Sequence, residues 1–363
     1  MIQLNDRYTY FSHRYGEKLM LPGTELALEV YPTKIIISPL MRKEEKFEIH
    51  FDFLGPMKGF TIFQNLDKNY IEINGHIRMG HFRFRIVAKE EGIDLMAVKM
   101  PAGELKFSFI SKVSSIKQIC GFMHAKETLF VPWKFATKFE KSISKISFGV
   151  FKQKDVSMMQ RRFLLTEYLP YWHLLSQKVP FFTSTIEGTA KFLDQCIPLI
   201  CMKNKKKIED LLELTLRSGF STFLMPRLLD EEYQGILVDQ KVSKKAHPTI
   251  LFEYGKKIIE SLFLYTEPEK VFVLTCMPPS ISHGKAINLK TEYGTFDVEF
   301  SKKFLKKLVF RPSYDCSFVF KLQSKIKSFR MKESRKEFGT TLHSNDKISF
   351  VKGRKYFFDK FQK

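Results

Sequence analysis

The stretch Phe82-Arg83-Phe84-Arg85-Ile86-Val87-Ala88-Lys89-Glu90-Glu91-Gly92-Ile93-Asp94-Leu95-Met96-Ala97 decides how the first part of the chain folds. Phe82, Phe84, Ile86 and Ala88 alternate with Arg83, Arg85 and Val87, a period of two that lays one apolar face along an extended strand. The Lys89-Glu90-Glu91-Gly92 turn reverses the chain into Ile93, Leu95 and Ala97, giving an antiparallel hairpin with one wet face. Working outward, Lys46–Phe53 repeats the pattern with Phe47, Ile49, Phe51 and Phe53. Leu26–Val30 and Lys34–Ile37 flank a Tyr31-Pro32-Thr33 turn, and Leu105–Phe109 and Leu129–Val131 add further short strands. No segment before about residue 150 has a helical period. Strands at this density predict a two-layer antiparallel β-sandwich over residues 1–150.

The period changes at Asp155, a good N-cap residue. Met158–Leu169 reads as a helix stopped by Pro170, and Thr189–Ile197 as a second helix ended or bent at Pro198. Lys205–Arg217 places Ile208, Leu211, Leu212, Thr215 and Leu216 on one face, with Gly219 beyond its end. The Lys205-Lys206-Lys207 run has the wrong sign for a helix start and reads as a solvated entry. Glu209, Asp210 and Glu213 read as the wet face. Ile250–Tyr265 follows Pro248 and Thr249 as a fourth helix. From Val271 strands return, ending in a predicted hairpin of Ile348–Val351 and Tyr356–Asp359 around Lys352-Gly353-Arg354. The expected class is α+β and multidomain: an N-terminal antiparallel sandwich (1–150), a helical block (151–267) and a basic C-terminal antiparallel sandwich (268–363).

One stretch carries a resemblance. Ile259–Leu264 is followed by the apolar Val271-Phe272-Val273-Leu274, by Met277-Pro278-Pro279, by Gly284, and by Tyr293-Gly294-Thr295-Phe296-Asp297-Val298-Glu299-Phe300. The proline pair fixes a bend that neither a helix nor a central strand can hold. This order, within residues 251–312, resembles the exit from the helical toroid in family-95 type glycoside hydrolases, the α-L-fucosidase and α-galactosidase group. There, a last helix gives way to an apolar strand, a proline turn, a glycine loop and a Gly-Phe-Glu-Val-Asp strand. Here Thr275 replaces the first turn proline, and Phe300 stands at the closing Trp position. The resemblance implies a helical block, partly toroid-like, joined to a sandwich, and a carbohydrate-related role. A full toroid of six helical hairpins needs roughly 300 residues or more, against the four or five helices that fit in residues 155–265. Its His-rich stretch has no counterpart, so no catalytic residue carries over, and the chain reads as a reduced relative, with a non-catalytic role left open beside a catalytic one.

Composition bounds the alternatives. Apolar residues make up 44% of 363, a globular proportion, and no apolar run reaches the roughly 18–20 residues of a membrane helix. The N-terminus lacks the pattern of a signal peptide, so a cytoplasmic location is expected. Five cysteines without C-x-x-C spacing and nine scattered histidines point to no metal site, and no cofactor motif such as a P-loop is present. Net charge is +21, of which residues 301–363 supply +13 from 18 Lys+Arg and 5 Asp+Glu. Such a skew attracts nucleic acid or acidic glycan, and it also suits the solvent face of sheet edges. Lys302, Lys303, Lys306, Lys307 and Arg330 are the candidates for polyanion binding.

Glycoside hydrolysis needs two facing carboxyl groups. The acidic run Asp230-Glu231-Glu232 supplies the catalytic candidates, and Arg227, Tyr233 and Gln234 beside it supply hydroxyl-binding ones; a solvated helix start explains the run equally well. Trp172, between Tyr171 and His173, is a candidate sugar platform or a core residue. The expected partner is a glycan or an acidic polymer.

Overall fold

The computed structural model describes residues 2–363 except 43, 54, 102–104, 112–119, 140–142, 151, 233–240 and 335. Strand outweighs helix, 42% against 18%, which makes the chain a β-dominated α+β protein. The N-terminal strands are β1 (Thr9–Ser12), β2 (Glu17–Met20), β3 (Leu26–Val30), β4 (Lys34–Pro39), β5 (Phe47–Phe51), β6 (Lys58–Asn65) and β7 (Tyr70–Ile77). They continue with β8 (Gly80–Lys89), β9 (Gly92–Lys99), β10 (Leu105–Ser111), β11 (Cys120–Met123) and β12 (Thr128–Pro132). They form two antiparallel sheets, β1-β6-β7-β8-β9-β12 and β11-β10-β5-β4-β3-β2. The alternating phenylalanines meet between them: Phe51 stacks on Phe84 at 4.6 Å and Phe53 on Phe82 at 4.5 Å. The β8–β9 hairpin closes at Lys89 and Gly92, as its sequence predicts. Gly92 is required there, because a Cβ would lie 2.2 Å from the Val131 carbonyl oxygen of β12.

The chain reaches the C-terminal half early. Strand β13 (Lys145–Ser147) is the edge of a seven-stranded sheet and precedes the described helices. The described helices are α1 (Val156–Arg162), α2 (Leu165–Ser176), α3 (Lys191–Cys201), α4 (Lys205–Ser218) and α5 (Ile250–Phe263). Asp155 caps α1 by accepting the Met158 N–H at 2.9 Å, and Asn204 caps α4. The expected single helix over Met158–Leu169 is broken instead at Phe163, whose backbone is left-handed (φ 47°), and Pro170 lies inside α2 rather than ending it. Pro198 likewise lies inside α3. Each proline forfeits one helical hydrogen bond, and burial of the apolar residues on either side outweighs that loss. Lys205-Lys206-Lys207 is the first turn of α4, not an entry loop, and Lys206 pairs with Glu209 at 3.2 Å and Asp210 at 3.0 Å. Glu209 is not on a wet face: it is buried and accepts the Ser280 N–H at 3.0 Å.

After α5 come β14 (Leu264–Glu267), β15 (Lys270–Val273), β16 (Gly284–Lys290), β17 (Gly294–Ser301), β18 (Phe304–Pro312) and β19 (Cys316–Lys321). The last are β20 (Ser328–Lys332), β21 (Thr340–His343), β22 (Lys347–Phe350) and β23 (Tyr356–Gln362). Helix, apolar strand, proline bend and glycine-led strand thus follow one another in the expected order. The seven-stranded sheet runs β13-β16-β17-β18-β23-β20-β21 and faces a four-stranded sheet, β14-β15-β19-β22. Among the described residues all ladders are antiparallel except β15–β19, which is parallel. The predicted terminal hairpin does not form. Strand β22 pairs with β19 in one layer, and β23 with β18 and β20 in the other. Phe350 meets Tyr356 edge-on at 4.9 Å across the core, so the two alternating runs bury the same face from opposite sides.

Candidate functional site

A cleft of about 620 Å³ lies between the N-terminal sheet and the loops that flank the helical block. One wall is the outward side of β2, β3 and β4, carrying Lys18, Glu29, Ile36 and Ser38, with Lys46 beside them. These positions alternate with the buried Leu19, Leu28, Ile35 and Ile37, so the strand pleat that fills the sandwich core also presents the wall.

The opposite wall is the chain after α4. Ser221 N–H bonds the Met225 carbonyl at 3.0 Å and Arg227 N–H bonds that of Gly219 at 2.8 Å, which folds residues 219–227 into a tight loop. Phe223 anchors the loop against Tyr10 at 4.5 Å, and Thr222 donates to the Lys18 carbonyl at 2.9 Å. Gly188 (φ 57°) lets Leu228 approach: a Cβ there would lie 2.0 Å from the Leu228 carbonyl oxygen. Ser243 closes the far end by bonding Glu187 through both its N–H and its hydroxyl at 2.7 Å.

Arg227, Glu231 and Glu232 all line this cleft. Arg227 is a structural clamp as well as a lining residue. It donates to the Ser218 carbonyl at 2.9 Å, to Asp230 at 2.8 Å, and approaches Glu232 at 3.3 Å. Asp230 is buried and turned toward the guanidinium, away from the cleft lining. One guanidinium shared by two carboxylates ties both to the loop, whereas the acid–base pair of glycoside hydrolysis needs its carboxyls facing an open gap. Tyr233 and Gln234 lie outside the described residues.

Trp172 is not a sugar platform. It is fully buried, donates its indole N–H to the Leu251 carbonyl at 3.2 Å, and meets Phe220 edge-on at 5.2 Å. Helix α2, continuing past Pro170, carries it into the contact with α5, where Gly255 leaves room for the ring.

The basic C-terminal candidates divide. Lys307 sits opposite Glu299 in the β17–β18 ladder at 3.3 Å, and Lys285 approaches the same carboxylate at 3.5 Å. Arg330 grips Asp359 with two bonds of 2.7 and 2.8 Å. That bond holds the Asp359 carboxyl below its ordinary range and outweighs its partial burial. Lys302 and Lys303 form the two-residue turn between β17 and β18, both with left-handed backbone (φ 53° and 60°), and are exposed; Lys306 extends over the Phe304 ring.

The sequence does not single out Lys18, Glu29, Ser38 or Lys46, because a wet strand face and a cleft wall share one alternating pattern. Among the described residues no helix is long and apolar enough to cross a membrane, and no group of three or more His, Cys, Asp or Glu is placed to hold a metal ion. No protein-family model matches the chain, and no curated protein sequence matches it.

Proposed function

We propose that the protein is a carbohydrate-related, non-catalytic binding protein that holds a glycan in the cleft between β2–β4 and the Arg227 loop. The observation that carries this reading is the meeting of Arg227, Glu231 and Glu232 with the outward face of the N-terminal sheet in one cleft of about 620 Å³. That volume falls in the range of small-ligand sites, roughly 300–1,000 Å³. A sugar ring has apolar C–H faces and hydroxyl edges. Ile36, Met41, Met225 and Pro226 suit the first, and Ser38, Lys46, Ser221, Ser243 and Glu231 suit the second. The resemblance of residues 251–312 to toroid-type glycoside hydrolases supports the sugar class, and descent from such an enzyme is part of the same proposal. Binding is favoured over hydrolysis because Asp230 and Glu232 are engaged by Arg227.

The test is a glycan array followed by titration of any hit, using the full chain and Ser38→Trp, which fills the cleft from the exposed side of β4. Binding by the parent and at least a tenfold loss in the variant is the expected result. A blank array at millimolar glycan, or equal binding by the variant, overturns the reading.

A further inference from the structure

A second pocket, of about 380 Å³, opens where the N-terminal strands, helix α2 and the seven-stranded sheet meet. Leu66 and Asp67 come from the N-terminal sandwich, Lys145 from β13, Leu174 and Lys178 from the α2 end, and Asn288 from β16. Asn288 has left-handed backbone (φ 56°) at the irregularity between Ala286 and Leu289, the kind of bulge that re-aims a side chain.

Lys178 is the unusual member. It is only 4% exposed, yet lines the pocket. Its backbone is fixed at both ends, the N–H bonding the Leu175 carbonyl at 2.9 Å and its own carbonyl accepting the Gly23 N–H at 2.8 Å. The carboxylate that shares the pocket, Asp67, has both oxygens engaged: Oδ1 by the Lys145 ammonium at 2.7 Å, Oδ2 by the Tyr8 N–H at 2.9 Å. Among the described residues the hydrogen-bond partner of the Lys178 amine is therefore the uncharged Oδ1 of Asn69. A buried amine bonded to a neutral oxygen beside a second ammonium is the arrangement that activates lysine nucleophiles. Burial pushes the Lys178 amine down to about 8; the Asp67 carboxylate opposes this and the Lys145 ammonium adds to it. An amine with that value is roughly a fifth neutral at pH 7.4, against about a thousandth for an exposed lysine.

We propose that Lys178 is a nucleophilic lysine that condenses with a small hydroxylated aldehyde entering this pocket. The neutral Nζ keeps its hydrogen bond to Asn69 and directs its lone pair at the carbonyl carbon. A C–N bond forms as the C=O π pair moves to oxygen, which takes a proton from the Lys145 ammonium, while the nitrogen returns a proton to Lys145. The same exchange then lets the hydroxyl leave as water, so that amine plus aldehyde gives imine plus water with no oxidant or reductant. The hydroxyl groups of the ligand suit the Asn288 amide, which makes the pocket polar as well as reactive.

Incubation of the full chain with glycolaldehyde and cyanoborohydride traps the imine as a secondary amine, and peptide mass mapping then gives the rate at each lysine. At pH 7.5 Lys178 is expected to label at least tenfold faster than Lys306 or Lys307. Its rate should rise through about pH 8, where burial places its pKa. Labelling no faster than at those exposed lysines overturns the proposal. Asn69→Asp puts a carboxylate against the amine and favours the ammonium; it is nearly isosteric and tolerates the left-handed backbone at that position (φ 55°). This variant is expected to lose at least tenfold in Lys178 labelling at pH 7.5 with its fold intact by circular dichroism. Labelling equal to the parent counts against the proposal as firmly. Ser38→Trp leaves Lys178 labelling unchanged, which separates this site from the glycan cleft.

Discussion

The Arg227 guanidinium and the Asp230 carboxylate meet at 2.8 Å with side chains that are 10% and 1% exposed, three residues apart on the loop that forms one wall of the cleft. The pair holds the wall rather than acting on a ligand. Losing the Asp230 carboxylate takes away the better-buried of the two acidic partners and leaves the guanidinium to Glu232 and the Ser218 carbonyl. The cost therefore lies below about 3–5 kcal/mol, the figure for a fully stranded buried charge. Asp230→Ala is therefore expected to lower the thermal midpoint by several degrees. Glu231→Ala, at an exposed position of the same run, should stay within about 0.5 kcal/mol of the parent. Thermal unfolding of the two variants side by side gives the answer, and equal midpoints would sink the structural assignment of Asp230.

Gly255 and Trp172 make a second, purely steric test. A Cβ on Gly255 would sit 2.4 Å from the indole, and the ring is walled in by Phe220 and the Leu251 carbonyl. In an exposed helix interior Gly→Ala stabilises by about 1 kcal/mol. Here the clash reverses the sign, and Gly255→Ala is expected to destabilise by about 1–3 kcal/mol, the range for overpacking. Denaturant unfolding reads it directly; a stabilised variant would mean that α2 and α5 are not held this close.

How much of this was legible in the sequence depends on what each pattern can encode. The β8–β9 hairpin was, because alternation fixes the face and the Lys89-Glu90-Glu91-Gly92 run marks the turn. The caps at Asp155 and Asn204 are local chemistry too, although only Asp155 stood out in the sequence. The β22–β23 segment was not, since alternation in Ile348, Phe350, Tyr356 and Phe358 says which side is buried but not which sheet supplies the partner. The Phe163 break has no glycine or proline to announce it. Glu209 has the spacing of a solvated helix face and is covered only because the Pro278–Ser280 bend folds back onto α4. At the cleft the acidic run and Arg227 were visible, while its other wall was not. Lys18, Glu29 and Ser38 become a wall through the packing of a loop 200 residues away.

Glu209 also sets a pH dependence. Burial acts to raise its carboxyl, but bonds from Ser280 and the Lys206 ammonium outweigh that and hold it below the ordinary value. A carboxyl whose folded pKa is depressed contributes stability above its unfolded value, about 4.3, and loses it as pH falls through the folded one. Glu209→Gln removes this contribution and leaves the Ser280 N–H a neutral acceptor. The parent's advantage over the variant, measured by urea unfolding, is expected to be present at pH 7 and to shrink below about pH 4. An advantage that is constant from pH 7 to pH 3 would show that the Glu209 charge is not what ties α4 to the bend.

The charge of the C-terminal strands yields the last prediction. Of its basic side chains, Lys307 and Arg330 are matched by Glu299 and Asp359, so the local excess does not form a uniform positive face across those strands. Lys302 and Lys303, at an exposed turn, stand apart from that ladder. Binding to heparin or mixed-sequence DNA is expected to be weak and to vanish between about 50 and 200 mM salt. Each neutralised phosphate releases a counterion, with a log–log slope of about −0.9 per contact on duplex DNA. Reversing both turn lysines to Glu should flatten that slope by roughly two contacts and leave the fold untouched. Reversing Lys307 should act differently: it sets a carboxylate directly across from Glu299, and like charges in that register destabilise a sheet by about 0.2–1 kcal/mol. A slope that falls with Lys307→Glu but not with the turn variants would place the polyanion on the sheet face, which the cross-strand pairing of Glu299 argues against.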